Sequence, residues 1–98
     1  MADRAQNNKI LQAKYLDIVY NSRNKDDINS EIAAANAITI LNLSHFSFSN
    51  LDLSGIRIKG ADLAGGEFVN TDLSNTDLTG VNFRSSILTN AKFIGANM

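Results

Sequence analysis

Ninety-eight residues suffice for one domain, or for two small elements sharing a core. Nine Lys and Arg against ten Asp and Glu leave a formal charge of −1, which argues against a basic nucleic-acid binder and equally against a strongly acidic DNA mimic. The absence of Cys removes disulfides, thiolate chemistry and Cys-based metal sites.

The N-terminal stretch MADRAQNNK is polar and lacks the apolar core of a signal peptide. No apolar run approaches the roughly 20 residues that span a bilayer. A cytoplasmic location is the default expectation, although a dedicated secretion machine would leave no mark of this kind.

Helical spacing governs residues 1 to about 40. Leu11, Tyr15, Ile18 and Val19 follow an i, i+4, i+7, i+8 pattern, flanked by Ile10 and Leu16. A polar break follows at Asn21-Ser22-Arg23-Asn24-Lys25, where Asn and Ser favour turns. Asp26 or Asp27 is placed to cap a second helix. Ile28, Ile32 and Ala35 then lie on one face, and a run of alanines supplies helix propensity. The expectation is a helical hairpin over 4–21 and 26–38.

From Leu41 onward the period becomes five and does not slip. Leu43, Phe48, Leu53, Ile58, Leu63, Phe68, Leu73, Leu78, Phe83, Leu88, Phe93 and Met98 are all large and apolar. A helix requires a period of 3.6 and a simple strand 2.0, so neither explains the spacing. The residue two places before each of these leans apolar or small (Leu41, Phe46, Leu51, Ile56, Ala61 and onward). In extended chain, residues two apart point the same way, so both sets should face inward and the polar residue between them outward. The last place of each unit is His45, Asn50, Gly55, Gly60, Gly65, Asn70, Asn75, Gly80, Ser85, Asn90 and Gly95. Gly and Asn dominate this set, and they are the residues that most readily take a positive φ at a corner.

Units such as Ala61-Asp62-Leu63-Ala64-Gly65, Thr71-Asp72-Leu73-Ser74-Asn75 and Thr76-Asp77-Leu78-Thr79-Gly80 resemble the A-(D/N)-L-x-x unit of pentapeptide-repeat proteins, over about 41–98. The resemblance implies a mainly β solenoid, a right-handed quadrilateral β-helix with four units per coil. Twenty residues per coil gives about three coils, each residue n lying over n+20. Residues 1–40 are then expected as an N-terminal α-helical hairpin cap and 41–98 as the β-helix, packed as one structural unit. The units around Phe46 and Ile56 depart from the family pattern, being bulky where a small residue is preferred. Such bulk suits a first coil filled against the cap, since an open terminal coil exposes apolar columns and unpaired backbone.

The chain stops at Met98 in mid-unit and on a core position. Two expectations follow: the sequence is the N-terminal part of a larger protein, or the uncapped C-terminal coil self-associates.

No constellation of catalytic, cofactor-binding or metal-ligating residues is evident. Asp52, Asp62, Asp72 and Asp77 are the candidate binding face, with the alternative that Asp and Asn there merely support turn geometry. Arg57 and Lys92 are expected to interrupt any acidic stripe. His45, the sole histidine, falls at a corner, and the serines have no histidine arranged as a base. The leading reading is a non-catalytic scaffold or protein–protein interaction module with a protein partner and no cofactor or membrane. A second reading, which the resemblance implies, is a DNA-mimic inhibitor or protector of a DNA topoisomerase. Three coils spanning about 15 Å at the inter-strand spacing, with balanced charge, weigh against it.

Overall fold

The structure, a computed structural model, describes the backbone of residues 2–98 and the side chains of residues 8–98. Two helices, α1 (Ala2–Asn21) and α2 (Ile28–Leu43), pack against each other and precede a long run of turns.

Asp27 is the N-cap of α2. Its carboxylate accepts from the Asn29 N–H at 3.1 Å and from the Ser30 hydroxyl at 2.9 Å, satisfying a donor that the first turn leaves free. The helix runs past residue 38 to Leu43, because nothing in Ile38-Thr39-Ile40-Leu41 breaks it. Leu41 instead extends the buried i, i+3, i+4, i+7 face begun by Ala34, Ala37 and Ile38. Two bonds end it, from the His45 N–H to the Asn42 carbonyl at 3.0 Å and from the Phe46 N–H to the Leu41 carbonyl at 3.1 Å. With His45 at φ 62° this is a Schellman stop, with the apolar Phe46 beyond it.

The buried stripe of the hairpin is displaced from the one that spacing alone suggests. Val19 is fully buried, and Tyr15, Leu16 and Tyr20 pack against the core, while Leu11 and Ile18 are exposed. On α2, Ile28 and Ile32 face outward, at 64% and 53% exposure.

The mainly β expectation, a right-handed quadrilateral β-helix, is overturned. Among the described residues there is no strand and no sheet; the regular elements are the two helices. The repeats carry only isolated parallel bridges of one residue each, Asp52 with Asp72, Arg57 with Asp77, Asp62 with Asn82, Glu67 with Ile87, Asp72 with Lys92 and Asp77 with Asn97. The cause is the shortness of the unit. Each corner turns the chain before a second consecutive residue pairs, so no bridge extends into a ladder.

The corners occupy the positions that the five-residue period marks. His45, Asn50, Asn70, Asn75, Ser85 and Asn90, with Gly55, Gly60, Gly65, Gly80 and Gly95, all have φ between 57° and 77°. Between corners, backbone bonds join tiers twenty residues apart. The Leu53 N–H donates to the Asp72 carbonyl at 2.8 Å, and the Asp72 N–H donates back to Leu51 at 3.0 Å; the same pair of bonds recurs along the chain.

Phe48, Leu53, Ile58, Leu63, Phe68, Leu73 and Leu78 form a buried core continuous with Val19, Ala34, Ala37, Ile38 and Leu41 of the hairpin. Phe48 and Phe68 lie one tier apart with rings stacked at 4.9 Å and 6°. Phe83, Leu88 and Phe93 are half-buried, since the tier above covers them on one side alone. Leu43 and Met98 are not core residues, at 71% and 73% exposure. Leu43 belongs to the last turn of α2, where helical phase replaces the five-residue phase and turns it outward.

The hairpin stands where a preceding tier would lie. By the register of later tiers, the N–H groups of Arg57 and Asp62 would donate to carbonyls twenty-one residues earlier, but those positions belong to α2. Hydroxyls substitute. Ser22 Oγ accepts from Arg57 at 3.0 Å, and Thr39 Oγ1 accepts from Asp62 at 3.0 Å. On the carbonyl side, Asn42 Nδ2 donates to Ala64 at 2.9 Å, and the Arg23 guanidinium donates to Asp52. The backbone groups that face the hairpin, the partly buried Arg57 N–H among them, are thereby paired without a strand.

Candidate interaction surface

The side chain between each pair of inward positions points out, and the bridges sort these side chains into columns. One column holds Asp52, Asp72 and Lys92, a second Arg57, Asp77 and Asn97, a third Asp62 and Asn82, and a fourth Glu67 and Ile87. Asp52, Asp62, Asp72 and Asp77 therefore occupy three columns rather than one. Asp52 and Asp72 share a column, Asp62 accepts from Asn82 Nδ2 at 3.2 Å, and Asp77 lies beside Arg57. Arg57 and Lys92 interrupt the acidic columns that they enter.

Each carboxylate is occupied by its own corner. Asp52 Oδ1 accepts from the Ser54 N–H at 3.0 Å and its hydroxyl at 2.6 Å. Asp62 accepts from the Ala64 N–H at 3.1 Å and Asp72 from the Ser74 N–H at 2.9 Å. Asp77 accepts from the Thr79 N–H at 3.1 Å and its hydroxyl at 2.7 Å. Asn82 does the same for Arg84 at 2.9 Å. This is the short-range side-chain-to-backbone bond that Asp and Asn make two residues on, and it holds the chain ready for the positive-φ residue that follows.

Two carboxyls feel this environment. The Ser54 hydroxyl and N–H hold the Asp52 carboxyl below its ordinary value, with Arg23 adding a smaller attraction. For Asp77, burial pushes upward, but the Thr79 bonds together with Lys59 and Arg57 outweigh it, so the net direction is down. Both remain ionised near neutrality.

Arginines, which the period does not single out, tie the hairpin to this surface. Arg23 lies over the Tyr20 ring at 4.6 Å and 3.9 Å from the Asp52 carboxylate. Arg57 reaches Asp26 at 3.7 Å and Glu31 at 4.0 Å. These pairs span about thirty residues outside any repeat, so spacing gives no sign of them. The Arg23–Asp52 and Arg57–Asp26 pairs involve well-exposed carboxylates and contribute little singly. His45 is exposed at its corner. Among the described residues no three His, Cys, Asp or Glu side chains are grouped to hold a metal ion. No helix of the described residues is long and apolar enough to cross a membrane.

Comparison with known proteins agrees with the repeat. The family model for pentapeptide repeats matches residues 41–75 and 67–98, in 8 copies. Comparison with curated proteins and with solved structures gives no match. With the match running through residues 41–98, more than half of its length, and with its corners falling every fifth residue, the chain belongs to the pentapeptide-repeat family.

Proposed function

We propose that the chain is a non-catalytic scaffold that binds a protein partner through the outward columns of residues 41–98, with the hairpin of residues 1–40 closing the first tier. The supporting observation is how the carboxylates are used. One oxygen of each of Asp52, Asp62, Asp72 and Asp77 is committed to its own corner, which fixes the orientation of the carboxylate on the outward side. Acceptors held in fixed orientations on a regular backbone suit recognition by donors on another protein, because little side-chain entropy is lost on contact. Membership of a repeat family in which surfaces vary on a constant core supports the same reading. The column Asp52–Asp72–Lys92 ends in a cation, which weighs against mimicry of a duplex phosphate stripe.

The test is retention of binding partners by the immobilised chain and by single variants Asp62→Lys and Asp72→Lys. Each alters one column and leaves the core alone. Loss of a specific partner with one variant and not the other, the two variants being alike in thermal stability because each loses one corner bond, is the expected result. Equal retention by both variants overturns the reading, as does inhibition of a purified topoisomerase in a supercoiling assay.

A further inference from the structure

Among the described residues, the outer face of α2 is left uncovered by both α1 and the repeats. Ile28, Ile32, Ile40 and Leu43 are 64%, 53%, 40% and 71% exposed. The helix carries one charged residue, Glu31, and that side chain turns away towards Arg57. The exposed face therefore has no charge, in contrast to ordinary surface helices, whose outer faces are charged. At about 180 Å² for a fully exposed Ile or Leu, these four present roughly 400 Å² of apolar surface, as large as the biggest patch on a typical monomer.

Spacing on the face decides between occupants. Ile32 and Ile40 lie four residues on either side of Asn36, and Ile28 and Leu43 lie eight and seven residues from it. That arrangement reads nearly the same in both directions. An antiparallel partner helix of identical sequence would set Ile32 against Ile40, Ile28 against Leu43, and Asn36 against itself. We infer that this face joins two copies of the chain, α2 against α2 about a two-fold axis at Asn36.

Two patches of roughly 400 Å², in an interface about 60% apolar, amount to about 1,300 Å² in total, within the range of specific dimers. With no charges on the face, the self-pairing meets no like-charge repulsion, and an Asn pair at the axis fixes the register as a single buried Asn does in coiled coils. Beside Ile40 lies a recess of about 320 Å³, lined by Leu11, Tyr15 and Leu41, which gives the second copy's Ile32 a place to insert. A helix lying on a membrane surface would instead carry Lys or Arg along its polar face, and α2 has none.

Sedimentation equilibrium of the full chain tests the inference, with the expected result a reversible equilibrium between one and two copies. Ile40→Glu should raise the dissociation constant about 100-fold or more, because a charge would be buried unpaired against the second copy's Ile32, one turn from the axis. Ile94→Asp, in the last tier, should leave it unchanged. The chain has no native cysteine, so Asn36→Cys should form a disulfide-linked dimer on mild oxidation. Circular dichroism and denaturation midpoints confirm that each variant folds. A monomer at every concentration overturns the inference, including one that binds lipid vesicles or another protein through this face. So does a dimer that Ile94→Asp dissociates and Ile40→Glu does not, or a dimer that never cross-links through Asn36→Cys.

Discussion

The hydroxyl of Ser22, at the end of α1, accepts the Arg57 N–H at 3.0 Å and donates to the Val19 carbonyl at 2.6 Å. One fully buried side chain thus closes the helix end and occupies the place of a missing tier. Ser22→Ala leaves the partly buried Arg57 donor without that partner and also removes the bond to the Val19 carbonyl, at a cost of about 1–2 kcal/mol. Equilibrium denaturation should show the midpoint falling with an unchanged slope. A loss below about 0.5 kcal/mol, the scatter of ordinary surface substitutions, would contradict the role assigned to Ser22.

Phe68 is fully buried, stacked on Phe48 and 5.7 Å from Phe83 in an edge contact. Truncation by Phe68→Ala should cost about 3–5 kcal/mol, a large share of the total stability of a small domain. Phe93 is half-buried, and Phe93→Ala should cost clearly less. Thermal melts of the two variants side by side give the comparison; equal losses would mean that coverage by a tier on each side does not control the energetics.

Gly66 is not a corner residue. A Cβ there would lie 2.6 Å from Phe68 Cε2, 2.8 Å from Asn42 Oδ1 and 3.1 Å from the Leu63 carbonyl. Gly66→Ala should therefore destabilise by about 1–3 kcal/mol through overpacking, displacing the Asn42 amide that pairs with Ala64. The neighbouring Gly65 has φ 71° and open space around it, so Gly65→Asn should cost well under 1 kcal/mol, Asn tolerating the left-handed region. A denaturation series on both variants checks the order of effects.

Asp52 and Asp77 are both held below their ordinary value of 3.8. Lowered folded-state values mean that the unfolded chain binds protons more readily, so the stabilisation is fully present above about pH 4 and is lost as pH falls through the folded values. Acid titration followed by circular dichroism should show stability declining below pH 4. In Asp77→Asn that decline should be shallower, and Thr79→Val should move the same way by removing the hydroxyl bond. An unchanged acid slope in both variants would show that these bonds do not hold the carboxyl down.

The repeat half was legible because one period encodes three things together: a bulky residue inside, a polar one outside, and Gly or Asn at the bend. His45, Ser85 and the Asn corners all take positive φ where the count places them. Strand formation was not legible, because pairing depends on how many consecutive residues meet between corners, and a five-residue unit admits one. Leu43 was misplaced for a related reason. It satisfies both the five-residue count and the helical count, and the Schellman stop at His45 decided for the helix. Ser22 and Thr39 gave no signal at all, since they lie in the hairpin, outside the repeat that places their partners Arg57 and Asp62.

On the outward columns themselves, the four carboxylates read in the sequence as a candidate binding face or as turn formers; the structure shows their corner bonds and their division among three columns. A count modulo twenty gives that division, and it places Lys92 and Arg57 correctly as interruptions.

The register of twenty also separates two kinds of length change. Insertion or loss of five residues keeps every core and corner position in phase, yet slides all later side chains onto a neighbouring column, so that Asp77 would stand where Asp72 stood over Asp52. Only a change of twenty restores the original surface pattern. A lineage of such chains is thus free to reshuffle what its flanks display, one unit at a time, while every core position keeps an apolar side chain and every corner its bend.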